Sequence, residues 1–123
     1  MNQQDVAMFQ EACGQTVSRK LTLENEAQVA LYAELIREEA QEIAEAVASK
    51  DIVEIADGCA DLIWVVLGLC NSAGIPINPV WREVMLSNMS KVPSDGKVLR
   101  REDGKILKPD SYFPPNIEKV LGL

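Results

Sequence analysis

Between Leu35 and Cys70 the chain reads LIREEAQEIAEAVASKDIVEIADGCADLIWVVLGLC, two helical apolar patterns in succession with carboxylates set inside both. No other feature limits the fold as much. On a wheel at about 100° per residue, Val29, Tyr32, Leu35, Ile36, Ile43, Ala46 and Val47 fill an arc of roughly 160°. Glu39 falls near the middle of that arc and Glu42 inside its edge, whereas Glu38 and Glu45 fall outside it and read as a solvated face. In the next segment Ile52, Ile55, Leu62, Ile63, Val65, Val66, Leu67 and Leu69 cover most of the circumference, the pattern of a central buried helix. Its acids do not scatter: Glu54, Asp57 and Asp61 share a stripe only about 60° wide, which Gly68 continues.

A carboxylate buried alone costs several kcal/mol or takes up a proton. Two acidic faces on neighbouring helices therefore require a cation between them. Basic side chains do not supply it, because the third helix contains none and the second only Arg37. The chain also has no histidine, and its three cysteines show no CxxC spacing. This removes imidazole zinc sites and Ser-His or Cys-His nucleophiles. An all-oxygen donor set drawn from Glu39, Glu42, Asp57 and Asp61 points to Mg²⁺, with Mn²⁺ as a substitute. Magnesium pairs with phosphate oxygens, so the pattern implies phosphoryl or pyrophosphoryl chemistry in which one carboxylate serves as general base towards water.

The rest of the sequence frames this pair as an all-α, four-helix-bundle-like fold with a short carboxy-terminal arm or hairpin. One domain spans residues 1–123, with a helical core over 1–91 and the arm over 92–123. A first helix covers Asn2 to about Cys13, with Val6, Phe9 and Cys13 inward and Gly14 as its stop. The second starts between Glu24 and Ala27 and ends near Ser49. Asp51 is suited to cap a third helix from Ile52 to Ser72, and the short link implies that the two run antiparallel. Gly74, Pro76 and Pro79 punctuate the chain before a fourth helix from Val80 to about Lys91, with Val80, Val84 and Met85 inward. Beyond it an Asp-Gly step between KVLRRE and KILKP is a hairpin signal, and IEKVLGL closes the chain as a helical turn. Cys13, Cys59 and Cys70 read as reduced packing residues. The net charge of −7 argues against a nucleic-acid polymer as partner. LIWVVLGLC is flanked by Asp61 and Asn71 and reads as a buried helix, not a membrane anchor. The amino-terminal stretch has no basic run leading into an apolar one, which predicts a cytoplasmic protein.

With these residues in view, the chain resembles the all-α nucleoside triphosphate pyrophosphohydrolases, the MazG-like group that includes dimeric dUTPases and phosphoribosyl-ATP pyrophosphohydrolase. That group carries EExxE on one helix and ExxD on the next. Glu38-Glu39-Ala40-Gln41-Glu42 matches the first element, and Asp61, leading DLIWVVLG, resembles the final aspartate of the second. Gly58 stands where the resemblance places a glutamate, so the fourth ligand falls to Asp57, with Glu54 as the further candidate. FQEACGQTV, SNMSKVPSDGK and REDGKILKP extend the likeness over most of the chain. The resemblance implies Mg²⁺-dependent hydrolysis of a nucleoside triphosphate to the monophosphate and pyrophosphate, serving removal of surplus or non-standard nucleotides. It also implies triphosphate contacts from Asn88 and Lys91, and a homodimer or homotetramer. Trp64, three residues past Asp61, reads as core or as a border to a base. Lys97, Lys105 and Lys108 read as tail lysines, mostly solvated. Gly58 also sustains a different expectation, a catalytically silent oligomer that binds nucleotide or metal as a regulator.

Overall fold

The structure is a computed structural model that describes residues 2–123, and among them the regular elements are helices: α1 (Gln3–Ala12), α2 (Glu26–Ala48), α3 (Ile52–Ala73), α4 (Ile77–Met89) and α5 (Ile117–Leu121). The chain divides into two compact units, one ending at Ile75 and one running Pro76–Leu123. The expected core of 1–91 is thus divided after α3, and α4 groups with the carboxy-terminal arm. No helix of the described residues is long and apolar enough to cross a membrane.

In the first unit the link between α2 and α3 is as short as the sequence predicts. Ser49 ends α2, Lys50 takes a positive φ of 58°, and the Asp51 carboxylate accepts a hydrogen bond from the Glu54 amide as the cap of α3. With only this turn between them the helices run back along each other. Two glycines on α3 fix how they meet. A Cβ at Gly58 would lie 2.7 Å from Ile43 Cγ1, and one at Gly68 would penetrate the Tyr32 ring. In the pairs Ile43 with Gly58 and Tyr32 with Gly68, residue number falls on one helix as it rises on the other, which sets an antiparallel register.

The carboxy-terminal half of α3 is where the core lies. Val65, Leu67, Cys70 and Ala73 are buried there with Val6 and Ala7 of α1 and Tyr32 and Ala46 of α2. Polar groups are enclosed among them, each with a partner. Gln10 is fully buried; its amide donates to Gly68 O at 3.1 Å, and its carbonyl accepts from Asn71 Nδ2 at 2.9 Å. Ser72 donates to Gly68 O and accepts from Gln28, whose amide also bonds both backbone groups of Thr16. The segment after α1 is bound along the same end of α3, with Ser18 N donating to Asn71 O and Thr22 N to Ala73 O.

Several packing expectations are corrected. The third helix is not buried all round: Ile52 and Val53 are more than two-thirds exposed, because α1 and the 14–25 segment cover only its far half. Phe9 is about half exposed and leans edge-on against Trp64, with ring centroids 5.5 Å apart. Of the three cysteines, all free, only Cys70 is buried, since Cys13 caps α1 and Cys59 lies on the outer side of α3.

In the second unit α4 begins three residues before Val80. Pro79 sits within its first turn, where a missing N–H forfeits no helical bond. Val84 and Met85 are exposed, and it is Ser87 that is buried, donating to Phe113 O at 2.8 Å. The arm returns to α4 through Ser111 Oγ to Ser90 O at 2.8 Å and Phe113 N to Ser90 Oγ at 3.0 Å. The hairpin signal is realised as a single antiparallel bridge, Arg100 with Ile106, around the turn at Gly104.

Gln10 ties α1 to α3 in the core, so Gln10→Ala should lower unfolding stability by about 2–3 kcal/mol through a lost buried hydrogen-bond pair and the space left behind. Urea denaturation followed by circular dichroism measures it, and a change under about 0.5 kcal/mol would mean the network carries no stability.

Candidate functional site

Along the register set by Ile43–Gly58 and Tyr32–Gly68, the acids of the two helices come face to face. Glu39 lies one turn before Ile43 on α2, and Asp61 lies just under one turn after Gly58 on α3; Glu42 and Asp57 directly adjoin the contact itself. The residues assigned from sequence to one cluster, Glu39, Glu42, Asp57 and Asp61, therefore share one stretch of the helix pair. Their charges act on one another. Glu39 is held above the usual carboxylate range by burial first, then by the charges of Glu42 and Asp61, by a hydrogen bond with Glu42, and by the charge of Asp57. Asp61 is raised by burial, by the charge and hydrogen bonding of Asp57, and by the charge of Glu42.

The depth of these groups differs from the sequence expectation. Glu42, Asp57 and Asp61 are exposed, and Glu39 alone is half-buried. Among the described residues, Glu39 Oε2 is the buried side-chain oxygen with no hydrogen-bond partner. Buried oxygens of this kind are normally satisfied, and an ionised one more stringently than a neutral one. The nearest base on α2, Arg37, is taken by Glu34, at 2.5 Å.

Whether these residues fit a cation is decided by donor chemistry and charge. Carboxylate oxygens alone suit a hard divalent ion, and the uncompensated repulsion that raises Glu39 and Asp61 is what such an ion relieves. Among the described residues no three of these side chains stand close enough together to hold one metal ion as they are.

The remaining candidates take separate places. Glu54 lines a shallow cavity of about 370 Å³ with Glu42, Glu45, Ala46 and Ser49. It is absent from the charges that raise Glu39 and Asp61. Trp64 is neither core nor free surface: it is 38% exposed and borders a cavity of about 170 Å³ with Asn2, Asp5, Val6, Ala60, Ile63 and Leu67. Asn88 and Lys91 belong to the second unit. There Lys91 Nζ lies 6.0 Å and Lys108 Nζ 5.0 Å from the centre of the Tyr112 ring. Nothing local in the sequence marks Lys108 among the tail lysines, since it shares the Tyr112 ring with Lys91 only through the return of the arm onto α4.

The raised carboxylates have a stability consequence whose sign is fixed. A carboxyl whose folded pKa lies above its unfolded value binds more protons when folded, so stability falls as pH rises from the unfolded pKa through the folded one. In the presence of a chelator, Glu39→Gln should raise the melting temperature at pH 7.5 by roughly 2–5 °C. The gain should vanish near pH 3.5, where wild type is itself protonated. A lower melting temperature at pH 7.5 would show that Glu39 is not repelled by its neighbours.

The phosphoribosyl-ATP pyrophosphohydrolase family model matches residues 6–88, which takes in most of α1, all of α2 and α3, and all of α4 but its last residue. No functionally curated protein matches the chain. Over two-thirds of its length, and across both acid-bearing helices, the chain belongs to the phosphoribosyl-ATP pyrophosphohydrolase family, hydrolases of the all-α, MazG-like superfamily that act on phosphoric anhydrides.

Proposed function

We propose that this pyrophosphohydrolase hydrolyses a nucleoside triphosphate or deoxynucleoside triphosphate at the α–β phosphoanhydride, releasing the monophosphate and pyrophosphate, and depends on Mg²⁺ or Mn²⁺. The observation that carries this reading is the mutual repulsion of Glu39, Glu42, Asp57 and Asp61 around an unpartnered buried oxygen. These four would hold the divalent ion, with Asp57 preferred to Glu54 because its charge reaches both Glu39 and Asp61. When bound, the ion supplies charge neutralisation of the phosphates and a lowered pKa for water. The carboxylates orient that water and accept its proton as its oxygen bonds to Pα and the bridging oxygen leaves with the β-phosphate.

Asn88 and Lys91 are assigned to the triphosphate, the first as an amide donor and the second as a point charge. Lys91 makes no ion pair among the described residues, which leaves its charge available for an anion. Trp64 is assigned to the base, since a partly exposed indole at the rim of an apolar cavity offers a stacking face. Phosphoribosyl-ATP presents the same anhydride and is the narrower substrate within this chemistry. Removal of surplus or non-standard nucleotides is the role we assign, in the cytoplasm, where three free cysteines are at home. We also propose a homodimer or homotetramer, on the exposed Ile52 and Val53 at the open end of α3.

The test is pyrophosphate release from a panel of canonical and modified NTPs and dNTPs, with phosphoribosyl-ATP included, in Mg²⁺. Wild type should release pyrophosphate and monophosphate with a base or sugar preference. Glu39→Gln and Asp61→Asn should each lower kcat by about 100-fold or more, while Lys91→Ala should act chiefly on KM. Wild type that binds nucleotide but stays silent with Mg²⁺ and Mn²⁺ would replace the enzyme with a regulatory binder.

A further inference from the structure

Between α1 and α3 lies the cavity of about 170 Å³ that Trp64 borders, and its walls are apolar: buried Val6 of α1 and Leu67 of α3, with Ala60 and Ile63 of α3 more exposed. Phe9 braces the Trp64 indole edge-on, at an interplanar angle of 73°, which limits its turning. Two polar residues complete the lining, and both stand at the start of α1. Asn2 caps that helix: its Oδ1 accepts from the Asp5 backbone N–H at 2.9 Å, which commits the oxygen and leaves the side-chain NH₂ to donate elsewhere. Among the described residues neither that NH₂ nor the Asp5 carboxylate has a hydrogen-bond or ion-pair partner. The cavity thus offers a stacking wall, one amide donor and one carboxylate that can only accept.

Apolar walls with a few polar groups at the edge are the usual form of a small-molecule site. The Asp5 charge disfavours a phosphate here, so the group it suits is neutral and flat. The acid seam is close by: Ala60 directly precedes Asp61, and Trp64 follows it by three residues, a spacing that makes the Asp61 and Trp64 side chains neighbours on the helix surface. We propose that this cavity takes the base of the nucleotide, and that Asp5 and Asn2 select bases with an exocyclic amino group, cytosine, adenine and guanine, over uracil, thymine and hypoxanthine. In the first three an amino group lies on the same edge as a ring nitrogen or carbonyl acceptor, so the base can donate to the Asp5 carboxylate and accept from the Asn2 NH₂. Uracil and thymine set their one ring N–H between two carbonyl oxygens, which a carboxylate repels, and hypoxanthine lacks the amino donor. A first-turn acid also suits the dipole of α1, a role that involves no ligand.

This inference rests on the nucleotide hydrolysis proposed above, and its test separates the two. The chain has two tryptophans, so in a Trp81→Phe background the fluorescence of Trp64 reports the cavity alone. That protein is titrated with dCMP, dAMP, dGMP, dUMP and dIMP in Mg²⁺, beside its Asp5→Asn and Ala60→Leu variants, with thermal melts for folding. It should bind dCMP about tenfold more tightly than dUMP, and dAMP and dGMP about tenfold more tightly than dIMP. Asp5→Asn, which puts a donor in place of one acceptor oxygen, should erase these gaps. Ala60→Leu, which fills the cavity from an exposed position, should weaken every ligand by about tenfold or more, and is the variant to read if Asp5→Asn does not fold. A role confined to the start of α1 would lower the melting temperature of Asp5→Asn and leave the gaps in place, which overturns the inference. Equal binding of all five, or Trp64 emission that none of them alters while triphosphates are hydrolysed, overturns it too and leaves the hydrolysis standing. Amino-selective binding by a protein that releases no pyrophosphate would support the base site and remove the hydrolysis.

Discussion

The close contact of α2 with α3, Ile43 at Gly58 and Tyr32 at Gly68, is the constraint on which the rest of the first unit depends. Apolar burial draws the two helices together along a shared face, and that face carries Glu39 towards Asp57 and Asp61. Hydrophobic packing is non-directional and tolerates many helix spacings. Repulsion between the acids favours the wider ones. The glycine notches resolve the conflict, because Ile43 and Tyr32 can be received only where α3 has no side chain. Under the proposed function, the repulsion at this seam is free energy that a divalent ion would recover on binding.

Phase on each helix, a purely local property of the sequence, picked out acids that lie along one stretch of the helix pair, but not their depth, since Glu42, Asp57 and Asp61 are exposed. The Asp51 cap and the tight link were legible too, since they depend on a few adjacent residues. Legibility ended where a residue's surroundings come from distant parts of the chain. The third helix is uniformly apolar in sequence, yet only half of it is covered, because coverage depends on where α1 and the 14–25 segment lie. Val84 and Met85 have the right spacing for a buried stripe but stand exposed. Cys13 and Cys59 follow the same lesson, since a helical phase says which residues share a face and leaves open what covers it.

Gly58 is the instructive case. As one letter in a motif it reads as a missing ligand. Its reason becomes visible only with Ile43 opposite, since the sequence does not state which α2 residue faces it. Gln10 and Gln28 are similar: polar letters in polar stretches, they turn out to be the groups that enclose the far end of α3, each amide both donating and accepting there. Buried amides of this kind favour one arrangement of their neighbours over alternatives, a contribution to uniqueness that hydrophobic patterning does not make.

The enclosed end of α3 and its open end are unequal. Around Gly68 to Ala73 the backbone and side chains of four segments are interlocked, whereas around Ile52 to Glu54 the helix pair is tied by little beyond its connecting turn and the Asp51 cap. The pair is nevertheless closed at both ends, by the covalent turn and the Asp51 cap at one and by buried amides at the other. What differs is cover: backbone amides around Gly68 to Ala73 are sealed under packed side chains, whereas those around Ile52 to Glu54 lie beneath exposed ones, so hydrogen exchange should advance along α3 from the turn inward.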